Sequence, residues 1–221
     1  MKRILVFGDS NSWGYTDEDN GQRYEKRWPV LLSHELIQKG FNTEIIEDCL
    51  PGRTTNIDDP QDGIHLNGAK LLKSSLLSHS PIDLVILMLG TNDLKFRFQR
   101  TAENIADGIK ELIQIVLDTN SGSGGWHDVN KSNLVVICPP TLGEKSYDPN
   151  WINFKEWEGG LEKSTELHFS FEKVCSQMGV HLIDANEFCQ SSSIDPIHWS
   201  KKMHLKFSEN LAKIIDQKIK L

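Results

Sequence analysis

Apolar residues in this chain fall into short unbroken runs, which alternate with longer segments of helical period. The runs are Arg3–Gly8, Thr43–Asp48, Leu84–Leu89, Leu134–Cys138 and His181–Asp184, rich in Val, Ile and Leu and mostly without polar alternation. Strands covered on both faces read this way, as in a parallel sheet. Between them, Trp28–Lys39, Gly63–His79, Ala102–Leu117, Gly160–Met178 and a last segment near Phe207–Lys218 read as helices. Ile105, Ile109, Leu112, Ile113 and Val116 recur at helical spacing and define one face. Strand-then-helix units in this order predict a doubly wound α/β sandwich with a five-stranded parallel sheet.

Some stretches fall outside the repeat. Thr16–Arg27 is polar and charged and reads as a surface loop. Asn120–Asn130 contains Ser-Gly-Ser-Gly-Gly and reads as a flexible excursion. Pro139–Glu158 is a long loop carrying Trp151, Phe154 and Trp157. Loops of that length inside a compact domain often shape a site. The aromatics serve equally as a private loop core or a substrate wall, and they are compatible with self-association into a homo-oligomer.

A length of 221 residues predicts one domain spanning 1–221. The net charge is −7, with Lys and Arg spread along the chain, which argues against nucleic-acid or anionic-membrane partners. The N-terminal apolar run, Ile4 to Phe7, is too short for a signal-peptide core, and no stretch approaches membrane-spanning length. A cytoplasmic location is expected. Cys49, Cys138, Cys175 and Cys189 are scattered and read as small buried residues, with no metal-ligand cluster and no cofactor signature.

Chemistry in such folds gathers at the carboxyl ends of strands. Ser10 follows the first strand in Gly8-Asp9-Ser10-Asn11-Ser12. Gly52 follows the second, where a missing side chain lets a backbone N–H face a pocket. Asn92 follows the third, and its amide is a neutral donor. Asp195 and His198 follow the fifth, spaced so that the carboxylate can face the imidazole. Strand order brings all five to one edge. A hydroxyl, a histidine to take its proton and donors for an oxyanion are the requirements of serine hydrolysis.

Gly8-Asp9-Ser10, Gly52, Gly90-Thr91-Asn92-Asp93 and Asp195-x-x-His198 resemble, in order, the four blocks of the SGNH (GDSL-type) hydrolase family. The match spans nearly the whole chain. The run Arg53 to Pro60, Ile86 to Asp93 and Glu158-Gly159-Gly160 resemble its arylesterase and acyltransferase branch. The resemblance implies a three-layer α/β/α flavodoxin-like fold, no metal, and hydrolysis of small-molecule carboxylic esters, with acyl transfer left open. It implies Ser10 as nucleophile and first oxyanion N–H, Gly52 N–H and the Asn92 amide completing the hole, His198 as base and Asp195 orienting it. The chain departs from the family at Asn11, where leucine is usual and where asparagine makes the pocket floor more polar. Pro51, before Gly52, stiffens that loop. Asn11, Tyr15, Thr91, Lys95, Trp157 and Ile197 are expected to line the substrate pocket, and the polar Asn11 and Lys95 favour acetate to butyrate over long acyl chains.

Competing readings stand beside this one. A serine after a strand is often only a turn or cap residue. Asp9 and Asp93 read as structural acids that bind loop N–H groups. His204 is a rival base, but no acid stands three residues before it. The alternative functions are a metal-dependent phosphohydrolase using Asp9 as nucleophile, and a non-catalytic flavodoxin-like binding module.

Overall fold

In a computed structural model that describes residues 1–19 and 21–219, five parallel strands stand in the order β2-β1-β3-β4-β5. They are β1 (Lys2–Gly8), β2 (Thr43–Cys49), β3 (Leu84–Met88), β4 (Asn133–Cys138) and β5 (His181–Asp184). The central strands show why the sequence lacks alternation. Ile4 and Val6 of β1 enter one core while Leu5 and Phe7 enter another, and all four are fully buried. In β3, Leu84, Ile86 and Met88 join the first core and Val85 and Leu87 the second. The period of two persists, but both faces need apolar groups.

Helices cover each face. Trp28, Leu32 and Leu36 of α2 (Trp28–Gln38) and Phe207, Leu211 and Ile215 of α6 (Lys201–Lys218) pack on one side. The other side takes α3 (Gly68–His79), α4 (Ala102–Asp118) and α5 (Gly160–Met178) through Leu72, Ile109, Leu112 and Phe171. The remaining helix, α1 (Ser10–Trp13), is a single turn at the end of β1. Winding reverses between β1 and β3, so the switch point of the sheet lies beside α1, where open α/β sheets place their ligands.

Two helix starts differ from the sequence expectation. The segment expected from Gly63 divides into a 3-10 turn, Ile64–Leu66, and α3, because the Asn67 side chain accepts from Lys70 N–H and caps the helix there. The last helix starts at Lys201, earlier than Phe207. Its buried face includes His204 and Ser208, polar residues that hid the apolar stripe. The long loop holds 3-10 turns at Glu144–Tyr147 and Phe154–Glu156. All four cysteines are free, three buried and Cys49 half-buried. Among the described residues, no helix is long and apolar enough to cross a membrane. None of their His, Cys, Asp and Glu side chains form a metal-holding group.

Candidate active site

The approach of β1 to α1 is tight. A Cβ on Gly8 would sit 2.3 Å from Ser12 Oγ, so only glycine lets the chain turn here. Asp9 caps the turn, its carboxylate accepting from Asn11 N–H at 3.0 Å. Gly14 ends it in the left-handed region (φ +97°), with its N–H on the Ser10 carbonyl at 3.0 Å. Ser10 is the first helical residue, so its own N–H is one of the donors a helix leaves unpaired.

Asp195 organises the loop after β5. Its Oδ1 accepts from Ile197 N–H at 2.8 Å and His198 N–H at 3.2 Å, an Asx turn. Its Oδ2 lies 2.6 Å from His198 Nδ1, and His198 Nε2 lies 3.0 Å from Ser10 Oγ. Burial works to raise the Asp195 carboxyl. The hydrogen bond and charge of His198 and the two backbone N–H groups outweigh it, so the group lies below its ordinary value. An ionised carboxylate can only accept, so in the neutral imidazole the proton belongs on Nδ1, which leaves Nε2 as the acceptor facing Ser10. The Tyr15 ring lies over this imidazole, centroids 4.1 Å apart.

Leu50-Pro51-Gly52-Arg53 is a turn closed by Arg53 N–H on the Leu50 carbonyl at 3.1 Å. Pro51 fits its first corner and Gly52, at φ +86°, its second. Asn92 starts a 3-10 turn after β3, and its Nδ2 donates to the Arg53 carbonyl at 3.2 Å. That bond uses one amide proton and fixes the direction of the other. Ser10 and Asn92 are each only 5% exposed, which would make their donors effective toward a charge developing at this edge.

Residues 6–206 match the GDSL-like lipase/acylhydrolase family. The chain belongs to this family. A carbohydrate acetylesterase from Sinorhizobium meliloti superposes with a TM-score of 0.87 at 35% identity, covering 98% of this chain and 99% of that one. An inhibitor-bound aryl esterase from M. smegmatis superposes with a TM-score of 0.87 at 37% identity and the same coverage. A further carbohydrate acetylesterase family member from S. meliloti gives 0.88 at 28% identity over 100% of both chains. A comparison with curated proteins finds no match. Membership makes the protein a carboxylic ester hydrolase, and its α/β sheet is that of the solved GDSL-like esterases.

Several residues expected to line the GDSL-like pocket are committed elsewhere. Asn11 is 1% exposed, and both polar ends of its side chain bond to the loop carrying His198. It is therefore not a polar floor turned to substrate. The Lys95 ammonium pairs with Glu156 at 3.3 Å and lies 5.7 Å from the centre of the Trp157 ring. Trp157 is itself buried in the core with Leu94 and Leu142, which makes it part of the loop's packing. Ile197 is buried beside His198, Thr91 is buried next to Asp9, and half-buried Tyr15 meets the imidazole. A cavity of about 480 Å³ between α4 and α5, lined by Asp107, Lys110, Phe169 and Lys173, shares no residue with the strand-end loops.

Buried acids hold this edge together. Asp9 is pushed up to about 6 by burial, against the Asn11 N–H, His198 and Thr91, which pull it down. Asp93 accepts from Thr55 N–H, from Thr55 Oγ1 at 2.6 Å and from Arg100 at 2.6 Å. It thus ties the loop after β2 to the loop after β3. His204 lies inside the α2–α6 layer, where its Nδ1 accepts from Trp28 N–H at 3.2 Å.

Arg53 is the functional neighbour that sequence reading missed. Its guanidinium is buried, bonds the Gly8 carbonyl at 3.2 Å and the Asp48 carboxylate at 2.7 Å, and stacks 4.0 Å from the Phe7 ring. The available signals were its position next to Gly52 and its place at the head of the run Arg53 to Pro60.

Proposed function

We propose that this ester hydrolase works through an acyl-Ser10 intermediate. The observation that carries the reading is the Asp195–His198–Ser10 line, at 2.6 and 3.0 Å. Ser10 Oγ attacks the ester carbonyl carbon as His198 Nε2 takes the hydroxyl proton. Negative charge moves to the carbonyl oxygen, where Ser10 N–H, Gly52 N–H and the free Asn92 amide proton receive it. The carbon–oxygen bond to the alcohol then breaks, and His198 returns its proton to the departing oxygen. Water attacks the acyl-serine in the same way and releases the carboxylic acid. An alcohol acceptor in place of water gives acyl transfer. Asp195 holds the imidazole and stabilises it when protonated. The whole chain acts as one domain in this reading.

The substrate class we propose is a short acyl ester, acetate foremost, of a small alcohol, phenol or carbohydrate. The similarity to structures named as carbohydrate acetylesterases and an aryl esterase supports it. The alternative nucleophile, Asp9, has one oxygen spent on the α1 cap and is 1% exposed.

The test pairs labelling with rates. A fluorophosphonate should modify Ser10, read by peptide mass spectrometry, and Ser10→Ala should lose roughly three orders of magnitude or more in kcat. kcat/KM across p-nitrophenyl esters should peak between acetate and butyrate. Retained activity in Ser10→Ala would remove the nucleophile assignment, and a maximum at octanoate would remove the short-acyl one.

A further inference from the structure

Hydrogen bonds to several of its backbone groups hold the loop that carries His198. Gly143 N–H donates to the Pro196 carbonyl at 2.8 Å and Ser192 N–H to the His198 carbonyl at 2.8 Å. Asp195 Oδ1 receives the N–H groups of Ile197 and His198. The Ile197 carbonyl and the Trp199 N–H stand one on each side of the histidine. Both go to a single side chain. Asn11 Nδ2 donates to the Ile197 carbonyl at 3.1 Å, and Asn11 Oδ1 accepts from Trp199 N–H at 3.2 Å. The amide orientation is fixed by this pairing, since the reverse orientation would set donor against donor and acceptor against acceptor.

Asn11 follows Ser10 directly, and its own N–H is held by the Asp9 cap. The side chain is 1% exposed, so the two bonds are made away from competing water. The backbone on both sides of the base is thereby fastened to the residue beside the nucleophile. The bonds holding Pro196 and His198 from the other direction come from Gly143 and Ser192, which lie outside the Ser10 turn. Leucine, usual at this position in the resemblance, could make neither bond.

We infer that Asn11 is a positioning residue: its side-chain amide clamps the backbone flanking His198 to the Ser10 turn and so sets the Ser10–His198 distance. The inference rests on the proposed roles of Ser10 and His198. Without the amide, the Ile197 carbonyl and Trp199 N–H lose their partners and the loop must shift to find others. A shift of about 1 Å at the reacting groups costs on the order of 100-fold in rate. Asn11 does not reach the substrate in this arrangement, so binding is spared.

The experiment compares wild type, Asn11→Leu and Asn11→Asp. Active sites are counted by end-point fluorophosphonate labelling, and kcat is expressed per labelled site. Asn11→Leu should lower kcat per site by about 10- to 100-fold while KM stays within about threefold. A residue that only supports folding would lower thermal stability and the number of labelled sites while leaving kcat per site unchanged, and kcat within about twofold of wild type would overturn the inference. Asn11→Asp is nearly isosteric and covers the case in which the leucine variant does not fold. Its carboxyl can accept from Trp199 N–H but donates to the Ile197 carbonyl only while protonated. Its rate should therefore fall at alkaline pH, where the wild-type rate is level, and an unchanged profile with unchanged kcat per site would overturn the inference. Absence of wild-type labelling at Ser10 would instead strike the underlying reading of the nucleophile.

Discussion

Asn92 donates through Nδ2 to the backbone carbonyl of Arg53 at 3.2 Å, which couples the loop after β3 to the turn after β2. Two of the three donors assigned to the oxyanion, Gly52 N–H and the Asn92 amide, therefore share one rigid unit. Arg53 anchors that unit to the ends of β1 and β2 through the Gly8 carbonyl and the Asp48 carboxylate. A preorganised hole needs this kind of support, because donors that must reorient during reaction lose their advantage.

Asn92→Ala should remove one such donor and free the Arg53 carbonyl. The expected loss in kcat is about 100- to 1,000-fold with little change in KM, as for oxyanion donors generally. Steady-state kinetics on p-nitrophenyl acetate checks it. A loss confined to KM would mean that the amide binds ground-state substrate instead.

Asp93→Ala should act on stability first. Its carboxylate is fully buried and pairs with Arg100 at 2.6 Å as well as with Thr55. Removing one member of a buried pair costs about 3–5 kcal/mol, because the other charge is left without its partner. Urea unfolding measures the change. A shift below about 1 kcal/mol, typical of an exposed ion pair, would show that Arg100 finds water or another partner.

Much of this arrangement was legible in the chain because it is local. Val, Ile and Leu runs mark the five strands, of which the central ones are buried on both faces, and their observed ends differ from the expected ones by no more than a residue. The Asp195-x-x-His198 spacing closes an Asx turn on itself, so local sequence was enough to anticipate that contact. What stayed hidden depends on distant partners. Asn11 meets Ile197 and Trp199 from the opposite end of the chain, and an asparagine after the serine reads from sequence as a polar pocket residue. Arg53 stands out in the sequence only as the start of the run Arg53 to Pro60, and its burial depends on three acceptors and an aromatic ring that converge on it. His204 hid the first turns of α6, since a histidine at a core position interrupts the apolar stripe.

Acid sensitivity should follow from His204. Burial drives its pKa from 6.5 to about 3, with the Tyr15 carbonyl opposing and His198 and Arg27 assisting. Between those values the unfolded chain binds a proton that the folded protein does not, so stability falls as pH drops through this window. The full effect is on the order of 5 kcal/mol. In His204→Asn the amide oxygen can still accept from Trp28 N–H. That variant should be less stable at pH 7 because of the smaller side chain, but it should lose less between pH 6.5 and 4. Urea midpoints across pH measure this, and equal slopes for the two proteins would assign the acid sensitivity to other groups.

Asp9 pushes the opposite way. Its folded pKa, about 6, lies above the ordinary 3.8 because burial penalises the carboxylate. Between those values the folded protein holds a proton that the unfolded chain releases, so this group's contribution falls as pH rises and is lost above about 6. At pH 8 the buried charge costs on the order of 3 kcal/mol relative to an unburied one. Asp9→Asn keeps an acceptor for the Asn11 N–H and carries no charge. It should therefore be more stable than wild type at pH 8, with the advantage shrinking toward pH 4, where the wild-type carboxyl is protonated. Parallel unfolding curves at both pH values test the sign. A variant less stable than wild type at pH 8 would show that the ionised carboxylate gains more from Asn11 N–H, His198 and Thr91 than it loses by burial.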